Sequence, residues 1–205
     1  MTEELVSSLC EELRSIYGCH TAILYGSRSR DDWEPTSDID VIAFRDTGEQ
    51  QRVASRWNGM FLDLFVYLVD DPIDQSWLRI HGGKVLFQKD RFGDDLLGRI
   101  GHMFDAGPEP VPVSELQVRK IWAEKMLERA AKDDAEGNYR RHWLLFMLLE
   151  DYFAVRGNWC LGPKQSFKAL RERAADHFNA FEAALKPTAS LDVMHELIAI
   201  TFDGI

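Results

Sequence analysis

The sequence predicts an α+β protein with two domains: a small mixed β-sheet domain over residues 1–107, followed by an all-α helical bundle over residues 108–205. Three observations predict this division. Short apolar runs bounded by turn residues, which are typical of strands, fall in the first 90 residues. The segment 106–114, AGPEPVPVS, holds three prolines and is typical of a linker. Beyond it, apolar residues recur at helical spacing.

The elements of the N-terminal domain follow from periodicity and from glycine or other turn residues between the runs. Helices are predicted over 3–16 and 93–104, and strands over 20–25, 38–44, 60–69 and within 78–88. Residues 51–57 are compatible with either a strand or a short helix. The loop 26–37 contains serine, aspartate, proline and threonine, all of which favour turns.

The C-terminal half predicts helices over 114–136, 138–156 and 164–175, with two more between 176 and 203. Ser114 is expected to cap the first of them. The stretch YRRHWLLFMLLEDYFAV in the second helix is apolar almost all the way round, so we expect it to form the buried centre of the bundle. Four aromatic residues are expected in this core: Trp122, Trp143, Tyr152 and Trp159.

The amino-acid composition limits the kinds of binding partner and the cellular compartment that we expect for this protein. The net charge is −10, and residues 1–107 hold 11 basic against 19 acidic residues, which argues against binding to bulk nucleic acid. No apolar run approaches the roughly 18 residues needed to span a membrane, and the N-terminus does not resemble a signal peptide. The three cysteines, Cys10, Cys19 and Cys160, lack metal-ligand spacing. We interpret them as reduced thiols and expect a cytoplasmic protein without membrane partners.

An acidic constellation is the strongest functional signal. Asp38 and Asp40 are two residues apart at the start of a predicted strand, so their side chains point to the same face. Asp63 lies in the middle of another apolar strand, where a carboxylate needs a partner. If the two strands are neighbours, the three carboxylates converge. Hard oxygen donors of this kind suit Mg²⁺, and a two-metal site would serve an in-line displacement.

Gly26-Ser27 precedes this constellation by ten residues. Glycine allows a close approach of the backbone to a ligand, and successive N–H groups in a turn bind anions. The Ser27 hydroxyl adds a donor, and a helix starting soon after it would point its positive end at the same anion. Arg28 is a further candidate for phosphate binding, with a solvated loop arginine as the alternative.

The combination of Gly26-Ser27, ten residues, Asp38-Ile39-Asp40 and a later strand aspartate, Asp63, resembles the nucleotidyltransferase superfamily of DNA polymerase β type. The resemblance covers residues 20–68. It implies that the Gly-Ser loop binds a nucleoside triphosphate, that the three carboxylates bind two Mg²⁺ ions, and that a nucleoside monophosphate is moved to a hydroxyl. The sequence departs from many small members after Ser27, because Arg28-Ser29-Arg30 lacks their glycine.

The C-terminal half resembles, by arrangement more than by motif, the helical domain of antibiotic-type nucleotidyltransferases such as aminoglycoside adenylyltransferases. The resemblance implies a lysine aimed at the triphosphate, for which Lys164 is the candidate, with Arg156 and Arg141 behind it. An ordinary solvated helix residue is the alternative for Lys164. Glu150 is interpreted either as a general base activated by burial or as a salt-bridged core residue. Asp63 is the other candidate base.

The predicted function is therefore an Mg²⁺-dependent enzyme that transfers a nucleoside monophosphate, by preference AMP from ATP, to a hydroxyl of a small-molecule acceptor. An aminoglycoside-like, cationic acceptor suits the acidic N-terminal domain. Two alternatives stay open: modification of a protein partner, as in antitoxin nucleotidyltransferases, and a non-catalytic member of the fold. The sequence does not fix the acceptor, the nucleobase or the oligomeric state.

Overall fold

A computed structural model describes residues 1–30, 32–132 and 134–205 and confirms the predicted α+β class. The chain divides into two compact units, Met1–Ala106 and Gly107–Ile205. No helix of the described residues is long and apolar enough to cross a membrane. Cys10, Cys19 and Cys160 are all free thiols, as the sequence predicts.

Five strands form one mixed sheet in the described part of the N-terminal unit, in the order β3-β4-β2-β1-β5. The strands are β1 Thr21–Tyr25, β2 Ile39–Arg45, β3 Gln51–Trp57, β4 Met60–Leu68 and β5 Lys84–Phe87. The helices are α1 Glu3–Ser15 and α2 Phe92–Ala106, with short 3₁₀ helices at Ser27–Ser29 and Gln75–Ile80. Strands β2 and β4 are parallel neighbours, and the other pairs are antiparallel.

The ambiguous segment 51–57 is a strand because of the turn that follows it. Asn58 and Gly59 both adopt positive φ, 48° and 80° respectively. Two such residues make the tight hairpin turn whose twist matches that of antiparallel strands. The turn pairs Trp57 with Met60 and fixes every later pair of β3 with β4. Hairpin pairing therefore overrides the local ambiguity of 51–57.

One face of the sheet forms the core of the N-terminal unit. Alternate residues of β2 and β4 point to α1, where Leu9 and Leu13 are fully buried. The strand residues buried in this cluster include Ile39, Val41, Ala43, Leu62, Leu64 and Val66. On the opposite face, Phe44 stacks on Trp77 at 5.9 Å and meets Phe92 edge-on at 4.9 Å. These aromatic contacts cover the carboxyl-terminal half of that face.

The C-terminal unit is helical. Its described helices are α3 Val113–Ala130, α4 Ala135–Val155, α5 Gly162–Arg173, α6 Ala175–Ala184 and α7 Leu191–Thr201. The core is built from their apolar sides, with fully or nearly fully buried Leu144, Leu148, Phe181, Met194 and Leu197. Helices α3 and α4 form an antiparallel pair, in which Arg119 contacts Asp151 and Arg140 contacts Met126.

The predicted boundary between the first two helices of this unit is wrong. We expected a break at Gly137, but α4 begins at Ala135 with Asp134 as its N-cap, whose carboxylate accepts the N–H of Gly137 at 2.7 Å. A β-carbon at position 137 would stand 2.8 Å from the carbonyl carbon of Lys132. Glycine is thus required by a close contact with the backbone that precedes the helix. Ser114 is not a cap either, because α3 starts at Val113 after Pro112.

Helix α4 is only partly buried, which corrects the expectation that it forms a buried centre. Tyr152 lies in the core as predicted, but Trp143 is 44% exposed. Trp122 and Trp159 are half-buried. Glu150 is exposed, so the burial on which both of its predicted roles depended is absent. The acid of this helix that is buried and paired is its neighbour Asp151.

Two arginines proposed to support Lys164 have structural contacts. Arg156 donates to the carbonyl oxygens of Ile200 and Thr201 at the end of α7, at 2.9 and 3.0 Å, and stacks over Tyr152. Arg141 donates to the carbonyl oxygen of Lys186 at 3.0 Å. Cations that bind the free carbonyl groups of helix ends stabilise the bundle.

Candidate functional site

The parallel pairing of β2 with β4 brings two of the predicted site residues together. Asp40 and Asp63 are partners in the register of these strands. Partners on neighbouring strands are about 4.8 Å apart, and their side chains lie on the same face of the sheet. This is the face opposite α1, at the end not covered by Phe44, Trp77 and Phe92. The sequence expectation that the two strands are neighbours is therefore correct.

Asp38 precedes β2 by one residue and is exposed. Its backbone is held by Arg28, which is buried beneath the loop. The Nε of Arg28 donates to the carbonyl oxygens of Ser37 and Asp38 at 3.1 and 3.0 Å, and Nη2 donates to Ser37 at 2.7 Å. In this structure Arg28 positions Asp38. Its predicted contact with a nucleotide stays a prediction.

Gly26 closes the site from the side of β1. It adopts φ 72° and ψ −155°, a region that is nearly restricted to glycine. A β-carbon at this position would stand 2.9 Å from Asp40 Cγ and closer still to Oδ2. The bare backbone of residue 26 therefore lies against the carboxylate of Asp40. Ser29 Oγ donates to the Gly26 carbonyl oxygen at 2.9 Å and fixes this turn.

The carboxylates influence one another electrostatically. Burial, and after it the negative charges of Asp38 and Asp63, together raise the pKa of Asp40 to about 6, against the opposing effect of Arg30 and Arg28. Like charges that lie close together without a cation between them have this effect. The raised pKa of Asp40 thus reflects its burial in the neighbourhood of two other carboxylates.

Asp63 is occupied by an arginine of the neighbouring strand. Arg52 Nε and Nη2 donate to Asp63 Oδ1 and Oδ2, both at 3.1 Å, in a two-pronged ion pair. The Arg52 side chain is 64% exposed, and that of Asp63 is 19% exposed. The guanidinium also lies over the ring of Phe65. The partner of Asp63 is therefore an edge-strand cation open to solvent, and not one buried in the core.

The donor set fits a divalent cation, although the side chains are not arranged around one. Among the described residues, no group of three or more His, Cys, Asp or Glu side chains is placed to hold a metal ion. Asp63 faces Arg52, so the third ligand of the predicted centre is directed elsewhere. The chemistry of three clustered carboxylates beside a glycine turn nevertheless matches Mg²⁺. Asp38, Asp40 and Asp63 are the residues that would hold it once Asp63 leaves Arg52.

The remaining predicted residues differ in what the structure says of them. Ser27 starts a 3₁₀ helix of three residues, Ser27–Ser29, at the place where the sequence predicted the start of a helix. The Ser27 carbonyl oxygen accepts the N–H of Arg30. Lys164 lies in the first turn of α5, after Pro163, in the C-terminal unit. Its proposed contact with a triphosphate stays a prediction.

Sequence reasoning missed Arg52. The signal was present in Asn58-Gly59, since a two-residue hairpin turn sets the register of both flanking strands. Counting outward from this turn pairs Ala54 with Asp63 and Arg52 with Phe65, as the structure shows. Side chains at diagonal positions on one face are within reach of a long residue such as arginine. The pairing of Arg52 with Asp63 follows from that count.

Comparison with protein families gives a match over most of the N-terminal unit. Residues 6–86 match the family model of the nucleotidyltransferase domain, which includes the Gly-Ser turn and all three aspartates. The C-terminal unit lies outside this match. No curated protein matches the chain.

Among solved structures, a nucleotidyltransferase-like protein from Exiguobacterium sibiricum is similar, at 14% identity and a TM-score of 0.39. The alignment covers 98% of this chain and 72% of that one. A TM-score of this size gives the likeness no weight for either fold or function.

Proposed function

We propose that this protein is a metal-dependent nucleotidyltransferase that moves a nucleoside monophosphate from a nucleoside triphosphate to a hydroxyl group. The observation that carries the proposal is the register pair of Asp40 and Asp63 beside the bare backbone of Gly26. The match of residues 6–86 to the nucleotidyltransferase domain supports it. ATP is the proposed donor, and AMP the group transferred.

The proposed roles follow from the contacts of each residue. Asp38 and Asp40, with Asp63 after it leaves Arg52, bind divalent cations, which when bound screen the charge of the triphosphate. Gly26 and Ser27 present backbone N–H groups and a hydroxyl to the phosphates. Arg28 holds Asp38 in place through its carbonyl oxygen. Asp63 is the proposed acceptor of the hydroxyl proton, because Glu150, the other candidate, is exposed.

The acceptor is proposed to be a cationic small molecule, such as an aminosugar. The support is electrostatic: the unit that carries the site holds 11 basic against 19 acidic residues. An excess of negative charge attracts a cationic acceptor and speeds its association. Lys164 is the proposed triphosphate-binding lysine, in line with the resemblance to antibiotic-type enzymes.

Transfer of label from α-³²P-ATP in the presence of Mg²⁺ tests the proposal. The acceptors are a panel of hydroxyl-bearing compounds, with cationic aminosugars and matched neutral sugars. We expect labelled product with a cationic member and none with Asp40→Asn, while Asp46→Asn, an exposed aspartate away from the site, retains activity. Label that appears equally with Asp40→Asn would contradict the proposal.

A further inference from the structure

The outer side of the α3–α4 pair carries large apolar side chains that no other described helix of the C-terminal unit covers. Val118 is 65% exposed, Tyr139 69%, Trp143 44% and Phe146 62%. Ile121, at 64%, lies at the edge of the same surface. We call this surface the α3–α4 face and define it by Val118, Ile121, Trp122, Lys125, Tyr139, Trp143, Phe146 and Glu150.

The residues of the α3–α4 face form two continuous stripes. On α4, positions 139, 143, 146 and 150 repeat at the spacing of one helix face, as do 118, 122 and 125 on α3. Trp122 of α3 meets Trp143 of α4 edge-on at 5.5 Å, and Tyr139 meets Trp143 at 6.3 Å. These ring contacts join the stripes into one patch across the groove between the helices.

The patch is comparable in area with the largest apolar patches of soluble proteins, which are often functional. With aromatic side chains of about 150–250 Å², the exposed fractions amount to an apolar area on the order of 500 Å². A contiguous apolar patch of this extent on a soluble protein marks an interaction site. A stable interface buries about 800 Å² on each partner, which the apolar residues and their charged neighbours together approach.

The charges of the α3–α4 face lie at its two ends. Lys125 precedes Met126, which contacts Arg140, and so lies at one end of the helix pair. Glu150 precedes Asp151, which contacts Arg119, and so lies at the opposite end. Both are exposed, and within residues 1–30, 32–132 and 134–205 neither forms an ion pair. The exposed cations Lys125 and Arg129 thus lie toward one end of the stripe and the exposed anion Glu150 toward the other, on either side of an aromatic centre.

We propose that the α3–α4 face binds a second copy of this chain as a two-fold symmetric dimer. A two-fold axis perpendicular to the line from Lys125 to Glu150 places the lysine of each copy against the glutamate of the other. The aromatic centre then packs on itself, and both charges gain a partner. A face with this pattern is complementary to its own copy, whereas a neutral or single-sign partner would leave at least one charge unpaired.

A dimer of this kind explains the apolar pattern of the α4 sequence. The helix is apolar almost all the way round because one side packs in the bundle and the other packs on a second copy. Glu150 is then neither a base nor a core residue but an ion-pair partner across the dimer. The inference does not depend on the proposed nucleotidyl transfer, since none of its residues belongs to the site on the sheet.

The test is the mass of the full chain by light scattering and sedimentation, from about 1 µM to about 100 µM. The wild type is expected to dimerise, and Phe146→Glu to abolish the dimer while retaining the wild-type circular dichroism spectrum. Lys125→Glu and Glu150→Lys place like charges together at two symmetry-related points, so each is expected to weaken the dimer about tenfold.

A mixture of the two charge variants provides the decisive control. A Lys125→Glu chain and a Glu150→Lys chain are complementary at both points, so the mixture is expected to form a heterodimer with the wild-type dissociation constant. A wild type that is monomeric throughout, or a dimer that is indifferent to Phe146→Glu, would overturn the proposal. Failure of the mixture to regain affinity would overturn the two-fold arrangement.

Discussion

Gly26 lies directly against the Asp40 carboxylate, so close that a single β-carbon on residue 26 would overlap it. This contact joins the turn after β1 to the start of β2. It explains physically why a Gly-Ser turn and an Asp-x-Asp strand occur together. Because residue 26 has no side chain, its backbone can lie against the Asp40 carboxylate and stay accessible to an anionic ligand.

Gly26→Ala is expected to lower both stability and metal binding. The methyl group would clash with Asp40 and would place a non-glycine residue in a strained backbone region, at a cost of about 1–3 kcal/mol. Urea denaturation measures the first effect, and Mn²⁺ binding measures the second. Gly59→Ala is the control, because Gly59 also has positive φ, 80°, but has no atom within 4 Å of an added β-carbon. Equal loss of Mn²⁺ binding in both variants would contradict the assigned contact.

The raised pKa of Asp40 predicts an unusual pH dependence of the stability of the metal-free protein. Its pKa is raised to about 6, so the folded state favours the neutral carboxyl group. The contribution of Asp40 to stability is full below its unfolded pKa, near 3.8, and is lost as the pH rises through about 6. Above that pH, Asp40→Asn is expected to be more stable than wild type in EDTA by about 1–2 kcal/mol, because the partial exposure of Asp40 to solvent screens part of the effect.

Asp46 supplies the control of opposite sign. A hydrogen bond from Lys89 lowers the pKa of Asp46, whose contribution to stability is present above its unfolded pKa and lost as the pH falls. Asp46→Asn should therefore be no more stable than wild type at neutral pH. Denaturation curves between about pH 4 and pH 8 distinguish the two variants. An Asp40→Asn protein that is less stable than wild type at pH 7.5 in EDTA would contradict the shift.

Arg52 is expected to compete with metal ions for Asp63. The exposed ion pair has to break before Asp63 can bind a cation, and this weakens metal binding slightly. Arg52→Gln should therefore tighten Mn²⁺ binding about fivefold in the absence of nucleotide. Arg56→Gln is the matched control, because Arg56 is an exposed arginine on the same strand and the same face. Identical Mn²⁺ affinities of the two variants would rule out this competition.

The C-terminal unit depends on the contact of Arg119 with Asp151. Burial raises the pKa of Asp151, and Arg119 opposes the shift with an ion pair at 3.1 Å. Arg119→Leu leaves that carboxylate buried without its partner and is expected to cost about 3 kcal/mol of unfolding free energy. Glu115→Gln removes the exposed partner of the same arginine and should cost less than about 1 kcal/mol. Similar losses in the two variants would show that burial at Asp151 is not decisive.

The secondary-structure elements that the sequence predicted well are those whose apolar residues follow a single clear period. The apolar runs of β2 and β4 and the two-residue spacing of Asp38 and Asp40 determine which side chains share a face. That the two strands are neighbours was a condition of that prediction, and the structure meets it. The contact of Arg28 with two carbonyl oxygens carries no periodic signal and was visible only in the folded loop.

The second half was harder to predict, because a helix that is apolar on nearly every side does not indicate which side is inside. Glu150 and Asp151 differ by about 100° around the helix axis, and the pattern alone assigned the buried role to Glu150 instead of Asp151. Gly137 resembled a helix break for the same reason that it fits its position, namely the lack of a side chain. Tertiary contacts decided both cases.

Mn²⁺ binding in the presence of a non-hydrolysable ATP analogue tests the central claim most directly. Electron paramagnetic resonance counts the bound ions per chain in the wild type, in Asp40→Asn and Asp63→Asn, and in Asp46→Asn as the control. We predict nucleotide-dependent Mn²⁺ binding that is lost in both site variants and retained in the control. Unchanged Mn²⁺ stoichiometry in Asp40→Asn and Asp63→Asn would contradict a shared metal site at these carboxylates.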